Sequence, residues 1–373
     1  MRSSYILFSF LSLFIFGMID NARGPIYPKV IEAFGVSNSL SSWIFTLTSI
    51  VSFLITLCSP VWLKKLGAVK ASKFAILLHG LALILMGLTG IQGESFSLFL
   101  IASAILGIAM GIQSVTLNLI VARVSNPLNG RKLFSGLHAM YGAASFCAPL
   151  ALGLVFRYEL SWQYSLIFLA LIPLAHLMFF KDLGPLGIAQ KDEVSTPVSS
   201  GTILKLGIIF SFFIATEILI SSRLVIYLYK VEGMKLDLAS MLLTAFFILL
   251  LGGRLLFSFY SPSLKTIYLL RIAVVATLSF FILGLTVSPY FFPFTGFSIS
   301  YFFPYGMDYI KNKYTQAEST IPKVMMFVGA MIAGMHAIFG VLSELYGLYG
   351  AMWVGAVLSS VVFALLLTLR PAR

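Results

Sequence analysis

The chain of 373 residues is 59% hydrophobic and only 10% charged, with a mean hydropathy of +0.99, which excludes a water-soluble globular fold of this length. Its net charge of +12 calls for no nucleic-acid partner, because Lys and Arg accumulate in the cytoplasmic loops of polytopic proteins. Two cysteines, Cys58 and Cys147, stand in apolar runs without a metal-ligand spacing and read as small packing residues.

Crossing the hydrocarbon core takes about 20 apolar residues in a helix, since every backbone polar group must be paired within its own segment. Apolar runs bounded by charge, Gly, Pro or Asn predict spans near 5–30, 40–62, 72–92, 96–121, 133–155 and 160–180. After a polar stretch at 181–203, six more are predicted near 204–229, 238–259, 265–287, 290–310, 321–343 and 348–369. The run 5–19 merges into the first span, so it is read as part of that span and not as a cleaved secretory signal. With both termini cytoplasmic, eighteen of the 25 Lys and Arg fall in inside segments. Three (Arg157, Lys230, Lys235) fall in outside loops and four (Arg23, Lys29, Arg223, Arg254) within or beside helices. The expected fold is therefore an all-α membrane protein of twelve transmembrane helices in two pseudo-symmetric six-helix bundles. The N-terminal bundle is expected over 1–180, a cytoplasmic linker over 181–203, and the C-terminal bundle over 204–373.

Ionisable groups far from helix ends mark functional positions, because a charge at the bilayer centre costs about 2.5–3.5 kcal/mol even on an insertion scale. The first span carries Asp20, Asn21 and Arg23. Asp20 is either a carboxyl that alternates between protonated and ionised, or one half of a structural pair with Arg23, three residues on and on the same face. The Arg-Gly-Pro-Ile-Tyr-Pro run at 23–28 is expected to loosen the helix there. In the fourth span Ser114 and Asn118 share a face while Gln113 points elsewhere, so only one set can line a passage. His138 and Tyr141 form a polar ridge in the fifth. His79, His176 and His336 have no ligand spacing, so neither a metal nor a cofactor is expected.

In the seventh span Glu217 lies about mid-depth, either titrating or hydrogen-bonded in helix packing. Arg223, six residues on and on a different face, either meets an anionic group of a solute or reaches outward. Arg254, near the inner end of the eighth span, is either a gate or a positive-inside anchor, and the tenth span contributes Ser298, Ser300, Tyr301 and Tyr305. These polar groups concentrate in the first and fourth helices of each half, which in a two-bundle carrier would wall one cavity.

At these residues the chain resembles the major facilitator superfamily, and within it the fucose:proton symporter type of sugar carrier. The likeness runs through Ala215-Thr216-Glu217 to Tyr227, through Gly111 and Asn118, and through the Gly142 to Gly153 segment with Pro149. It continues with Gly253-Arg254, Phe303-Pro304 and Gly329 to Gly340. The loop after the second span departs from the family pattern Gly-x-x-x-Asp-Arg-x-Gly-Arg-Lys: Pro60 to Val69 reads PVWLKKLGAV, with Lys64 in place of the acid. Ser114 stands where the fucose carriers have a Glu, and Arg223 where the residue is usually apolar or aromatic.

The resemblance implies a monomeric secondary transporter in the plasma (inner) membrane. It would carry a small polar, sugar-like solute by alternating access, coupled to protons or sodium, with Asp20 and Glu217 as proton sites. Two alternatives stay open: a proton-coupled exporter of drugs or other amphiphilic compounds, and a non-transporting membrane sensor or assembly factor. No nucleophile elbow, zinc-protease motif or phosphate loop points to an enzyme.

Overall fold

Serine side chains open several of the helices: the hydroxyls of Ser37, Ser95, Ser161 and Ser199 accept from backbone N–H groups of the first turns that follow them. The computed structural model describes residues 2–92, 95–125, 130–186, 199–259, 262, 264–313 and 317–369, and among them it is all-helical apart from turns. The chain divides into two compact units between Lys191 and Asp192.

The first unit contains α1 (Arg2–Phe34), α2 (Asn38–Leu57), α3 (Ser59–Leu66), α4 (Ala68–Gln92), α5 (Phe96–Val124), α6 (Gly130–Arg157) and α7 (Trp162–Phe179). Helix α1 packs along α6, α2 along α5, and α4 against both α5 and α7. The predicted second span ends early, at Cys58, where Pro60 starts the short α3. The Trp62 indole N–H donates to the Ile55 carbonyl at 2.8 Å, pairing one of the carbonyls orphaned at the end of α2. Pro25 and Pro28 do not end α1, which continues to Phe34. They remove the N–H donors for the carbonyls of Asn21 and Gly24, a defect that helices inside a bundle tolerate.

The expected linker begins as part of this unit. Lys73 Nζ donates to the carbonyls of Lys181 (2.7 Å) and Leu183 (2.9 Å), and Tyr5 donates to that of Gly184 at 3.2 Å. Leu183 and Leu186 pack on the core around Phe8, Leu117 and Val121. Of the rest of that expected linker, 187–198 lies outside the described residues, and the next helix is already under way over 200–203.

The second unit contains α8 (Ser200–Lys230), α9 (Leu236–Phe259), α10 (Thr266–Thr286), α11 (Phe292–Ser300), α12 (Phe302–Lys313) and α13 (Ala317–Leu367). Helix α8 packs on α13, and α9 on α11. The predicted tenth span is split at Tyr301, because Pro304 cannot donate to the Ser300 carbonyl four residues back. Helix α13 is interrupted by a kink at Gly347, whose φ of 69° suits a residue without Cβ, and its apolar part of 41 residues is long enough for two crossings. Among the described residues ten helices meet the length and hydropathy of a membrane span. Dividing the last at Gly347 and adding the α11–α12 pair gives twelve crossings, as the sequence predicts.

Candidate functional site

A glycine sets the geometry in the first unit. A Cβ at Gly17 would lie 2.8 Å from the Ala144 Cβ and 3.2 Å from Tyr141, so its absence lets α1 and α6 touch. One turn on, the Tyr141 hydroxyl donates to Asp20 Oδ2 at 2.7 Å. The other carboxyl oxygen of Asp20 is ion-paired with Arg23. Arg23 Nε also donates to the Asp20 carbonyl, and its guanidinium lies 5.2 Å over the Phe45 ring of α2. Asp20 keeps 21% of its side chain exposed and Arg23 12%, so the pair is largely but not fully withdrawn from solvent. A cavity of about 10 Å³, the size of one water, adjoins Arg23, Tyr27, Ile44, Met86 and Phe99.

The remaining candidates of this unit divide into two sets. Asn21 is buried, donating to the Gly17 carbonyl (2.9 Å) and to Ser145 Oγ (3.1 Å), which clamps α1 to α6. Ser114 is exposed and Asn118 half-exposed on one face of α5, joined by the Asn118 amide donating to the Ser114 carbonyl, whereas Gln113 is fully buried. His138 is exposed one turn before Tyr141.

In the second unit Gly253 plays the corresponding part, its Cα held against Ser300 and Phe297 so closely that a Cβ there would collide with the serine. This contact brings α9 to α11 and aims Arg254 at α8, where its Nη2 lies 3.6 Å from Glu217 Oε1. Glu217 is 19% exposed and Arg254 32%. Arg223 is fully buried, with its guanidinium 4.8 Å over the Phe339 ring. Tyr301, at the break between α11 and α12, is buried in an aromatic group with Phe257 (4.4 Å between ring centroids) and Tyr305 (5.9 Å).

Each unit thus holds a membrane-embedded carboxyl beside an arginine. Such a pair can exchange a proton for the ion pair, since protonating the acid removes the arginine's counter-charge and frees it to move. The sequence marks both acids, and Arg23, three residues from Asp20, is legible as its partner. Tyr141 as second partner of Asp20 is not, because 121 residues separate them. His79, which lies beside this cluster, is passed over by a search for ligand spacings. Its signal is an ionisable group near the middle of an apolar span. Among the described residues no cluster of three or more His, Cys, Asp or Glu could hold a metal.

A sequence model described as Major Facilitator Superfamily matches residues 9–320. No match was found among curated protein sequences. Solved structures resemble the chain over nearly its whole length. The inward-open xylose transporter XylE from E. coli aligns with a TM-score of 0.78 at 11% identity, covering 100% of this chain and 97% of that one. The nucleoside transporter NupG gives 0.71 at 14% identity, with 98% and 97% covered. The transporter FucP, in an outward conformation, gives 0.64 at 14% identity, with 97% of each chain covered.

Proposed function

We infer the function from the family: this chain belongs to the major facilitator superfamily, and it is an integral multi-pass membrane transporter and not an enzyme. Within that family our reading is a secondary carrier that moves a small polar, sugar-like solute by alternating access, driven by protons. The observation that carries it is the pair of acid–arginine sites, Asp20–Arg23 and Glu217–Arg254, inside apolar helices. An acid that must shed its arginine to accept a proton links protonation to side-chain movement. Asp20 and Glu217 are the proton sites in this reading, and Arg254 is the gate that Glu217 releases. Ser114 and His138, which are exposed, and Asn118, which is half-exposed, are polar groups suited to hydroxyl-rich solutes. Tyr301 and its aromatic neighbours suit the apolar face of a sugar or a nucleobase. Asn21 supports the site by holding α1 on α6, and Arg223 is the reserve cation for a solute with an anionic group. The chain acts as a monomer in the plasma (inner) membrane with both termini cytoplasmic.

The test is uptake of labelled D-xylose, L-fucose and uridine into proteoliposomes under an imposed proton gradient, with a sodium gradient in parallel. At least one probe should accumulate with the proton gradient. Asp20→Asn and Glu217→Gln should each slow that uptake by about tenfold or more, equivalent to about 1.4 kcal/mol. Uptake indifferent to both substitutions removes the two acids from coupling, and accumulation with sodium alone replaces the proton as the coupling ion. The same aromatic group in the second unit favours one further reading, export of amphiphilic compounds. Expression that confers no resistance to a panel of such compounds counts against it.

A further inference from the structure

His79 on α4 is fully buried, and neither ring nitrogen has a hydrogen-bond partner among the described residues. A neutral imidazole carries one donor and one acceptor, and leaving both unmade in a dry interior is costly enough that such rings are rare. The ring sits against Phe16, with centroids 5.9 Å apart, and Phe16 in turn lies 5.9 Å from the ring of Tyr141. Phe16 is one helical turn before Asp20 and on the same face of α1. Tyr141 in turn donates to Asp20, which is ion-paired with Arg23, so His79, Phe16, Tyr141, Asp20 and Arg23 follow one another in contact. Arg23 itself has an unmade donor, its buried Nη1. An unmade donor and an unmade acceptor therefore stand in one cluster, with a phenyl ring beside the imidazole.

Three other polar groups around α4 are engaged elsewhere. His176 on α7 is engaged by Ser12 Oγ at 2.9 Å, Tyr141 on α6 by Asp20, and Lys73, nearer the start of α4, by the carbonyls of residues 181 and 183. Gln113 on α5 is buried with its amide unmade.

We propose that His79 is a positioning residue that receives Arg23 when Asp20 loses its charge: the released guanidinium donates to the unprotonated imidazole nitrogen, and Phe16 swings aside. The imidazole stays neutral throughout, and no proton is transferred to it. The proposal rests on the reading of Asp20 as a site that is neutralised during the cycle. It gives unit one a second resting place for a cation that would otherwise be stranded in apolar surroundings.

The test needs no solute, so its result is independent of whether any transport probe succeeds. The protein, labelled with 15N in its histidine rings, is placed in lipid bilayers at neutral pH for solid-state NMR. The His79 signals are assigned by their loss in His79→Gln. In the wild type the unprotonated nitrogen should resonate as one without a hydrogen bond. In Asp20→Asn it should move upfield as it accepts one, and Asp20→Ser, which removes the carboxylate by another route, should give the same movement. Adding Arg23→Gln to either variant should return the signal to its wild-type position. A His79 signal unmoved in both Asp20 variants overturns the proposal. So does an upfield shift that persists without Arg23, since another donor would then be responsible.

Discussion

Asp20 accepts on both carboxyl oxygens, from Arg23 and from Tyr141, and the two donors are separable by substitution. Tyr141→Phe removes one hydrogen bond to a charged acceptor that keeps a fifth of its surface exposed, so water partly replaces the hydroxyl and the loss is about 1 kcal/mol. Arg23→Gln leaves the carboxylate without a cation in a mostly apolar bundle and destabilises more, by about 2 kcal/mol, below the range for a fully buried pair because Asp20 is not fully buried. Thermal melts of the purified variants should rank Arg23→Gln below Tyr141→Phe, and the reverse order would mean that the tyrosine carries the site. The sequence exposes the acids because carboxyls are rare in apolar spans. It also suggests Arg23, since a three-residue spacing shares a helix face. It cannot assign Tyr141 to Asp20 or Arg254 to Glu217, because those pairings depend on which helices touch. It marks His79 only as an ionisable group within an apolar span, and not by what its nitrogens fail to reach.

At the scale of elements, the close passage of α1 along α6 is what delivers Tyr141, and it depends on Gly17. Gly17→Val would put side-chain atoms into space already held by Ala144 and Tyr141. The helices would have to part, at about 1–3 kcal/mol. The same variant should make a second Tyr141→Phe substitution nearly silent, a non-additivity that a double-mutant cycle of melting temperatures reads directly. A different device fixes residues 181–186 to the first unit: the ammonium of Lys73, shared between two carbonyls. Lys73→Met keeps the stem but loses the charge, and amide exchange across 181–186 should speed up by about tenfold while the rest of α4 keeps its protection. The spans themselves are legible because lipid imposes both length and polarity on them. Their breaks are less so. Pro304 gives a reason for the split at Tyr301 that hydropathy does not register, and Pro25 and Pro28, where the helix is expected to loosen, lie within a continuous α1. Within the expected linker, 181–186 is held by side chains from α1 and α4, and α8 starts at Ser200.

For the whole molecule, the decisive quantity is how many protons each solute carries with it. Among the described residues each unit has one carboxyl, Asp20 or Glu217, deep within a span and beside an arginine, so the proposed mechanism allows at most two. With the membrane potential clamped at zero, a gradient of one pH unit supports about tenfold accumulation per coupled proton, and therefore about a hundredfold for two. The plateau of uptake measures this number independently of rate. If both acids couple, Asp20→Asn and Glu217→Gln each lower the plateau by about tenfold, and the double variant only equilibrates its solute. If one variant slows uptake but reaches the wild-type plateau, its acid shapes the barrier without carrying a proton, and coupling belongs to the other unit. A wild-type plateau that stays at unity under a proton gradient and rises under a sodium gradient would keep the carrier while removing the proton from it. An acid that ligates sodium does so in its charged form, so the neutral variant of any such acid would lower the sodium-driven plateau.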